Sequence, residues 1–126
     1  MGERTGFIRG VKNARTIDQA TLYFGQGMTS TSLQLTMAMA AIANGGKLMR
    51  PYVVSKIVDE SGSTTKKTGP KVVKRTISAK TARKVAAILE GVATEEGTAP
   101  QAAIEGYRVA GKTGTSNKSI DTWFMG

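Results

Sequence analysis

From residue 32 to residue 43 the chain reads Ser-Leu-Gln-Leu-Thr-Met-Ala-Met-Ala-Ala-Ile-Ala, apolar at nearly every angle of a 3.6-residue repeat. This predicts a helix over 32–44 that is covered from several sides, with Met37 and Met39 in the core. Thr31 and Gln34 form a capping box, each side chain serving the other's backbone N–H. Asn44-Gly45-Gly46 supplies the left-handed stop. A second helix is predicted over 79–95. Ala82, Val85, Ala86, Leu89, Val92 and Ala93 make one apolar stripe, with Arg83, Lys84 and Glu90 off it. Ser78 is its N-cap and Gly97 its stop. Pro51 opens an extended run, predicting a strand near 52–58, and further strands are expected near 107–115 and 121–126. Val72-Val73 suggests a short strand. Asp59 to Ser63 and Ser116 to Ser119 are turns, 64–71 reads as a solvated loop, and 1–28 as loops with one short helix around Ile17 to Leu22. Trp123 and Phe124 are expected to pack on a helix. Together these predict an α+β fold, an antiparallel sheet with helices on its faces.

Composition narrows the chemistry. The 126 residues are 40% hydrophobic, enough for one domain's core. Cysteine and histidine are both absent, which excludes disulfides, thiol nucleophiles, a Ser-His-Asp triad and Cys- or His-ligated metals. No metal and no cofactor is expected. Nucleophilic catalysis would need Ser or Thr with Lys, Tyr or a carboxylate. Lys plus Arg is 18 against 9 Asp plus Glu, a formal +9. The cations spread from Arg4 to Lys118 with one cluster, Lys66, Lys67, Lys71, Lys74 and Arg75, and no aromatic interleaves it as base stacking would require. The expectation is a solvated face and no nucleic-acid partner. Glu95-Glu96 point in different directions on a helix and read as its solvated end. Met1-Gly-Glu-Arg does not open a signal peptide, and the longest apolar run, Met37 to Ala43, is far short of the ~20 residues of a membrane span.

The chemical signal is Gly111-Lys112-Thr113-Gly114-Thr115 on an expected strand. An ammonium and two hydroxyls on extended backbone suit an anionic carboxylate, and glycines at 111 and 114 would let a ligand's backbone lie close. Lys67-Thr68-Gly69 repeats the letters in a turn-like basic stretch and is read as solvated loop. Gly106-Tyr-Arg-Val-Ala-Gly-Lys-Thr-Gly-Thr-Ser116 resembles the third motif of penicillin-binding transpeptidases, and closely that of class B enzymes, which cross-link peptidoglycan in division or elongation. The resemblance extends over nearly the whole chain: Gly2-Glu3 with Gly6, Phe24-Gly-Gln-Gly-Met with Thr31-Ser-Leu-Gln-Leu, Ile42-Ala-Asn-Gly-Gly46, Pro51, Glu90-Gly-Val with Gly97-Thr-Ala99, and Asp121 to Gly126 fall in the family's order.

That resemblance implies the serine β-lactamase/penicillin-binding transpeptidase fold and an acyl-serine mechanism on D-Ala-D-Ala stem peptides, with β-lactams on the same strand edge. Lys112 would help hold the terminal carboxylate, Thr113 and Thr115 would bind it, Gly114 would line the strand, and the Thr115 N–H would be one of two oxyanion donors. The family's S-x-N is absent, and Ser63-Thr-Thr-Lys66 is the one S-x-x-K, in a polar turn after the helix that should follow the nucleophile. No nucleophile is expected in this chain. Residues 1–126 then read as a partial transpeptidase domain without the nucleophile-bearing half and the last strand and helix, inactive alone, and with helix 32–44 left uncovered and prone to dimerisation or strand exchange. The longer protein is expected to be membrane-anchored, with a periplasmic domain and division or elongation proteins as partners. A serine β-lactamase or D,D-carboxypeptidase is the alternative parent, and a stand-alone basic binding module the alternative class.

Overall fold

A computed structural model describes residues 5–8, 15–115 and 122–126. The expected Ser116 to Ser119 turn, Gly2-Glu3 and Asp121 lie outside the described residues. The elements run β1 (Phe7–Ile8), α1 (Thr16–Leu22), β2 (Met28–Thr29), α2 (Ser32–Ala43), β3 (Lys47–Met49), β4 (Lys56–Val58), β5 (Thr64–Lys67), β6 (Val72–Arg75), α3 (Ala79–Glu90), β7 (Lys112–Thr115) and β8 (Thr122–Met125). The α+β class holds. The expected single sheet does not appear among the described residues: the strands pair as four two-stranded antiparallel ladders, β1-β2, β3-β6, β4-β5 and β7-β8.

Helix α2 begins and ends as its caps dictate. Thr31 N–H donates to Gln34 Oε1 (2.9 Å) and Gln34 N–H to Thr31 Oγ1 (3.1 Å). At the other end Gly46 N–H reaches Ala41 O (2.7 Å) and Gly45 N–H reaches Ile42 O (3.0 Å), the paired bonds of a Schellman stop. Gly45 and Gly46 sit at φ +63° and +90°. Met37 and Met39 are half-buried, not core; of α2 only Ala41 is buried. The other buried apolar residues are Ala82, Ala93 and Ala99.

Helix α3 starts at its Ser78 cap, whose hydroxyl accepts from Thr81 N–H (3.0 Å). Its stripe is the covered side: Ala82 and Ala93 are buried, Val85, Ala86, Leu89 and Val92 half-buried, Arg83 and Lys84 exposed. The helix stops at Glu90, not at 95. Gly91 opens a short 3-10 turn through Ala93, and Thr94 turns extended. Gly favours neither continuation nor a fixed backbone in a helix interior. Glu95 and Glu96 therefore lie beyond the helix, both exposed.

The strands depart further from expectation. The 52–58 run pairs only over Lys56–Val58, because its partner is the short segment 64–67, which was expected to be loop. The turn between them is tied by Asp59, whose Oδ1 accepts from Ser61 N–H (3.0 Å), the Ser61 hydroxyl (2.6 Å) and Ser63 N–H (2.9 Å). Val72-Val73 extends to Arg75 and pairs with β3, which the residue pattern does not announce. The expected strand 107–115 is regular only over 112–115. Two-residue strands β1 and β2, read as loop, are too short to show alternation.

The chain divides into two compact units, one of residues 1–36 and 89–126, the other of 37–88. No described helix is long and apolar enough to cross a membrane.

Candidate functional site: the Lys112–Thr115 strand

Strand β7 is held in place by three attachments within its own unit. Leu89 O, at the end of α3, accepts Gly111 N–H (3.1 Å). Arg108, on the run into the strand, grips Glu90 with two nitrogens (3.1 and 2.6 Å). On one edge β7 pairs with β8 in the register Lys112↔Met125, Thr113↔Phe124, Gly114↔Trp123, Thr115↔Thr122.

Alternation along the strand sorts the candidate residues. Thr113 and Thr115 share one face with Phe124 and Thr122, and Lys112 shares the other with Gly114, Trp123 and Met125. The expected cluster of an ammonium beside two hydroxyls is thus divided at its roots: Thr113 and Thr115 stand on one face and the Lys112 side chain leaves from the other. Lys112 is exposed and its Nζ curls over to donate to Thr113 O (2.7 Å).

The same alternation applies to the backbone. In an antiparallel ladder, successive residues aim N–H and C=O alternately at the partner and away from it. Gly111 N–H is aimed at Leu89 O, away from β8. Thr113 O accepts from a side chain, again outside the ladder. Residues 113 and 115 have the parity of 111, so the Thr113 and Thr115 N–H groups point out of the β7-β8 ladder. Among the described residues β7 pairs with β8 alone, so this second edge is open. An open edge with outward N–H groups and two hydroxyls on one face can take an extended peptide-like ligand and a negatively charged oxygen.

Two residues at the strand escaped the sequence reading. Thr98 Oγ1 lies 3.3 Å from Thr113 Oγ1, so the Gly97-Thr98-Ala99 segment orients the Thr113 hydroxyl. Thr122, directly opposite Thr115, adds a third hydroxyl to that face. Only the order of segments singled out Gly97-Thr98-Ala99, and order carries no distance. The glycines also have a different task from the one expected. A β-carbon on Gly111 would meet the Phe124 ring, and one on Gly114 the Trp123 indole. The close approach is made by β8's own aromatic rings, which lie against strand β7.

Ser63, the one S-x-x-K serine, sits in the β4-β5 turn with its hydroxyl 3.1 Å from that of Ser61, and Lys66 lies in β5 opposite Ile57. Neither stands on a helix. No group of three Asp or Glu residues that could hold a metal occurs among the described residues.

Residues 2–126 match the family model of the penicillin binding protein transpeptidase domain. The chain is 40% identical over 125 residues to stage V sporulation protein D of Bacillus subtilis, covering 98% of this chain and 19% of that protein. It is 32% identical over 120 residues to the probable peptidoglycan D,D-transpeptidase PenA of Neisseria flavescens, covering 95% and 27%. Penicillin binding protein 3 of Mycobacterium tuberculosis, solved in complex with ampicillin, superposes with a TM-score of 0.78 at 32% identity, over 97% of this chain and 29% of that one. The chain thus spans between a fifth and about a quarter of the length of these curated relatives.

Proposed function

Because the chain belongs to the penicillin-binding protein transpeptidase family, we propose that it is part of a serine-type peptidoglycan D,D-transpeptidase and that β7 is the strand on which the stem peptide is anchored. The terminal carboxylate of D-Ala-D-Ala, or of a β-lactam in its place, lies along the open edge. Thr113 and Thr115 donate hydroxyl hydrogen bonds to it. Lys112, its Nζ drawn to Thr113 O, supplies positive charge, and the Thr115 N–H serves as one oxyanion donor. The attacking serine and its lysine belong to polypeptide outside these residues, so the chain alone does not turn over. Catalysis on the outer side of the inner membrane, beside division or elongation proteins, is part of the same reading.

The outward parity of Thr113 and Thr115 on an unpaired edge carries this proposal. In the longer protein, Thr113→Val removes one hydrogen bond to a charged group. Acylation by a fluorescent penicillin should slow by about 10–100-fold, and Thr98→Val by less, since it acts through Thr113. Unchanged acylation in Thr113→Val sinks the anchoring role. The isolated chain should give no covalent band on a denaturing gel. A band that survives Ser63→Ala would reveal a nucleophile within residues 1–126.

A further inference from the structure

The formal charge of +9 is not shared along the chain. Eleven of the 18 Lys and Arg residues fall within 37–88, against only Asp59 and Glu60 of the 9 acidic ones; the remaining residues balance to zero. Residues 37–88 are one compact unit, so that unit carries the entire net charge. Its two carboxylates are adjacent in the β4-β5 turn, where Asp59 accepts hydrogen bonds from Ser61 and Ser63. The ion pairs of the described residues, Arg15–Asp18 and Arg108–Glu90, both lie in the other unit.

The ladders of this unit also hold cations face to face. Lys56 is directly opposite Lys67, and Lys47 directly opposite Arg75. Directly opposed like charges destabilise an antiparallel pair, and a bound anion relieves them. Arg75 is partly occupied, donating to Gly45 O (2.7 Å) and Ile77 O (3.3 Å). Lys56 and Lys67 are exposed, with no ion-pair partner among the described residues.

Apolar side chains accompany these lysines into solvent. Val53 is 82% exposed, and Val54, Ile57, Val58, Val72 and Val73 are each about half exposed. Val58, two residues beyond Lys56, shares its face of the hairpin. Cations alone suit any polyanion; cations interleaved with exposed valines suit a surface that has both phosphates and hydrocarbon. Tyr52 is the one aromatic residue in the unit, so a base-stacking platform is missing.

We propose that residues 37–88 dock on an anionic phospholipid surface, with Lys56 and Lys67, which share one face of the ladder, against the headgroup phosphates and Val54 and Val58 entering the interface. The acidic tip, Asp59-Glu60, stays away from the lipid, so contact runs along the ladder.

The test is co-sedimentation of the chain with vesicles of phosphatidylglycerol and phosphatidylcholine, beside vesicles of phosphatidylcholine alone. Binding is expected to the mixed vesicles only and to be lost at high salt. Replacing both lysines together (Lys56→Gln, Lys67→Gln) should weaken it by about thirtyfold. The melting temperature should hold or rise, because an opposed like-charge pair is gone. Val54→Ser with Val58→Ser should weaken binding at unchanged charge. No binding to mixed vesicles, equal binding to neutral ones, or full binding by the double lysine variant overturns the proposal. So does tight binding to soluble polyphosphate together with indifference to the valine changes, which would assign the surface to a free polyanion.

Discussion

Gly114 shows how much one missing β-carbon decides. Its absence lets the Trp123 indole lie across β7, directly opposite Gly114 in the register that puts Thr113 and Thr115 on one face. Gly114→Ala would push the indole off the strand, an overpacking that costs about 1–3 kcal/mol. The expected outcome is a melting temperature lower by roughly 5 °C or more and a red-shifted emission from Trp123, the one tryptophan in the chain. An unshifted emission would mean that the ring is not held against Gly114. The letters Lys-Thr-Gly-Thr revealed the strand. They could not reveal that the glycines are filled from β8 or that Thr98 meets Thr113, because both facts depend on residues brought close only by folding. Alternation could have separated Lys112 from the two threonines beforehand, since it follows from the strand assignment alone.

Among elements, those with local instructions were legible and those with distant partners were not. The capping box and glycine stop of α2, and the Ser78 cap and stripe of α3, all operate within one or two turns of chain. Strand β3 pairs with β6 across more than twenty residues, so nothing near Lys47–Met49 announces it. The hairpin of β4 and β5 is an intermediate case: Asp59 to Ser63 read as a turn, yet the lysine-rich strand after it read as loop. That turn makes the hairpin sensitive to acid. The Ser61 hydroxyl first, then the N–H groups of Ser63 and Ser61, hold the Asp59 carboxyl below its ordinary value, against a smaller opposing effect of desolvation. A folded value below the unfolded one stabilises the hairpin fully above the unfolded carboxylate range, and that contribution disappears as pH falls through the folded value. The protection of the Ser61 and Ser63 amides, taken relative to the intrinsic exchange rate at each pH, should therefore fall below about pH 4, and Asp59→Asn should remove that fall. Protection that stays flat in the parent chain would contradict the turn's construction.

At the scale of the molecule, the apolar side chains and the charge pull in opposite directions. The buried apolar residues among those described are four alanines, and no large side chain is fully buried. Meanwhile Phe7, Ile17, Phe24, Ile88 and Ile104 are well over half exposed. Ordering a residue costs about 1–2 kcal/mol of conformational entropy, and four alanines contribute little against that, so the expected outcome is that a second copy covers the exposed apolar surface. The opposing force is the +9 charge gathered on residues 37–88, which repels a like-charged neighbour until salt screens it, over a Debye length of about 10 Å at 0.1 M. Sedimentation velocity should accordingly show self-association that increases with concentration and also with added salt. Vesicle binding by the same unit should respond to salt in the opposite sense, because there the charge attracts. A monomer at every concentration and ionic strength would mean that the exposed apolar residues do not drive association. Association that salt weakens would mean that unlike charges, not apolar contacts, hold the copies together.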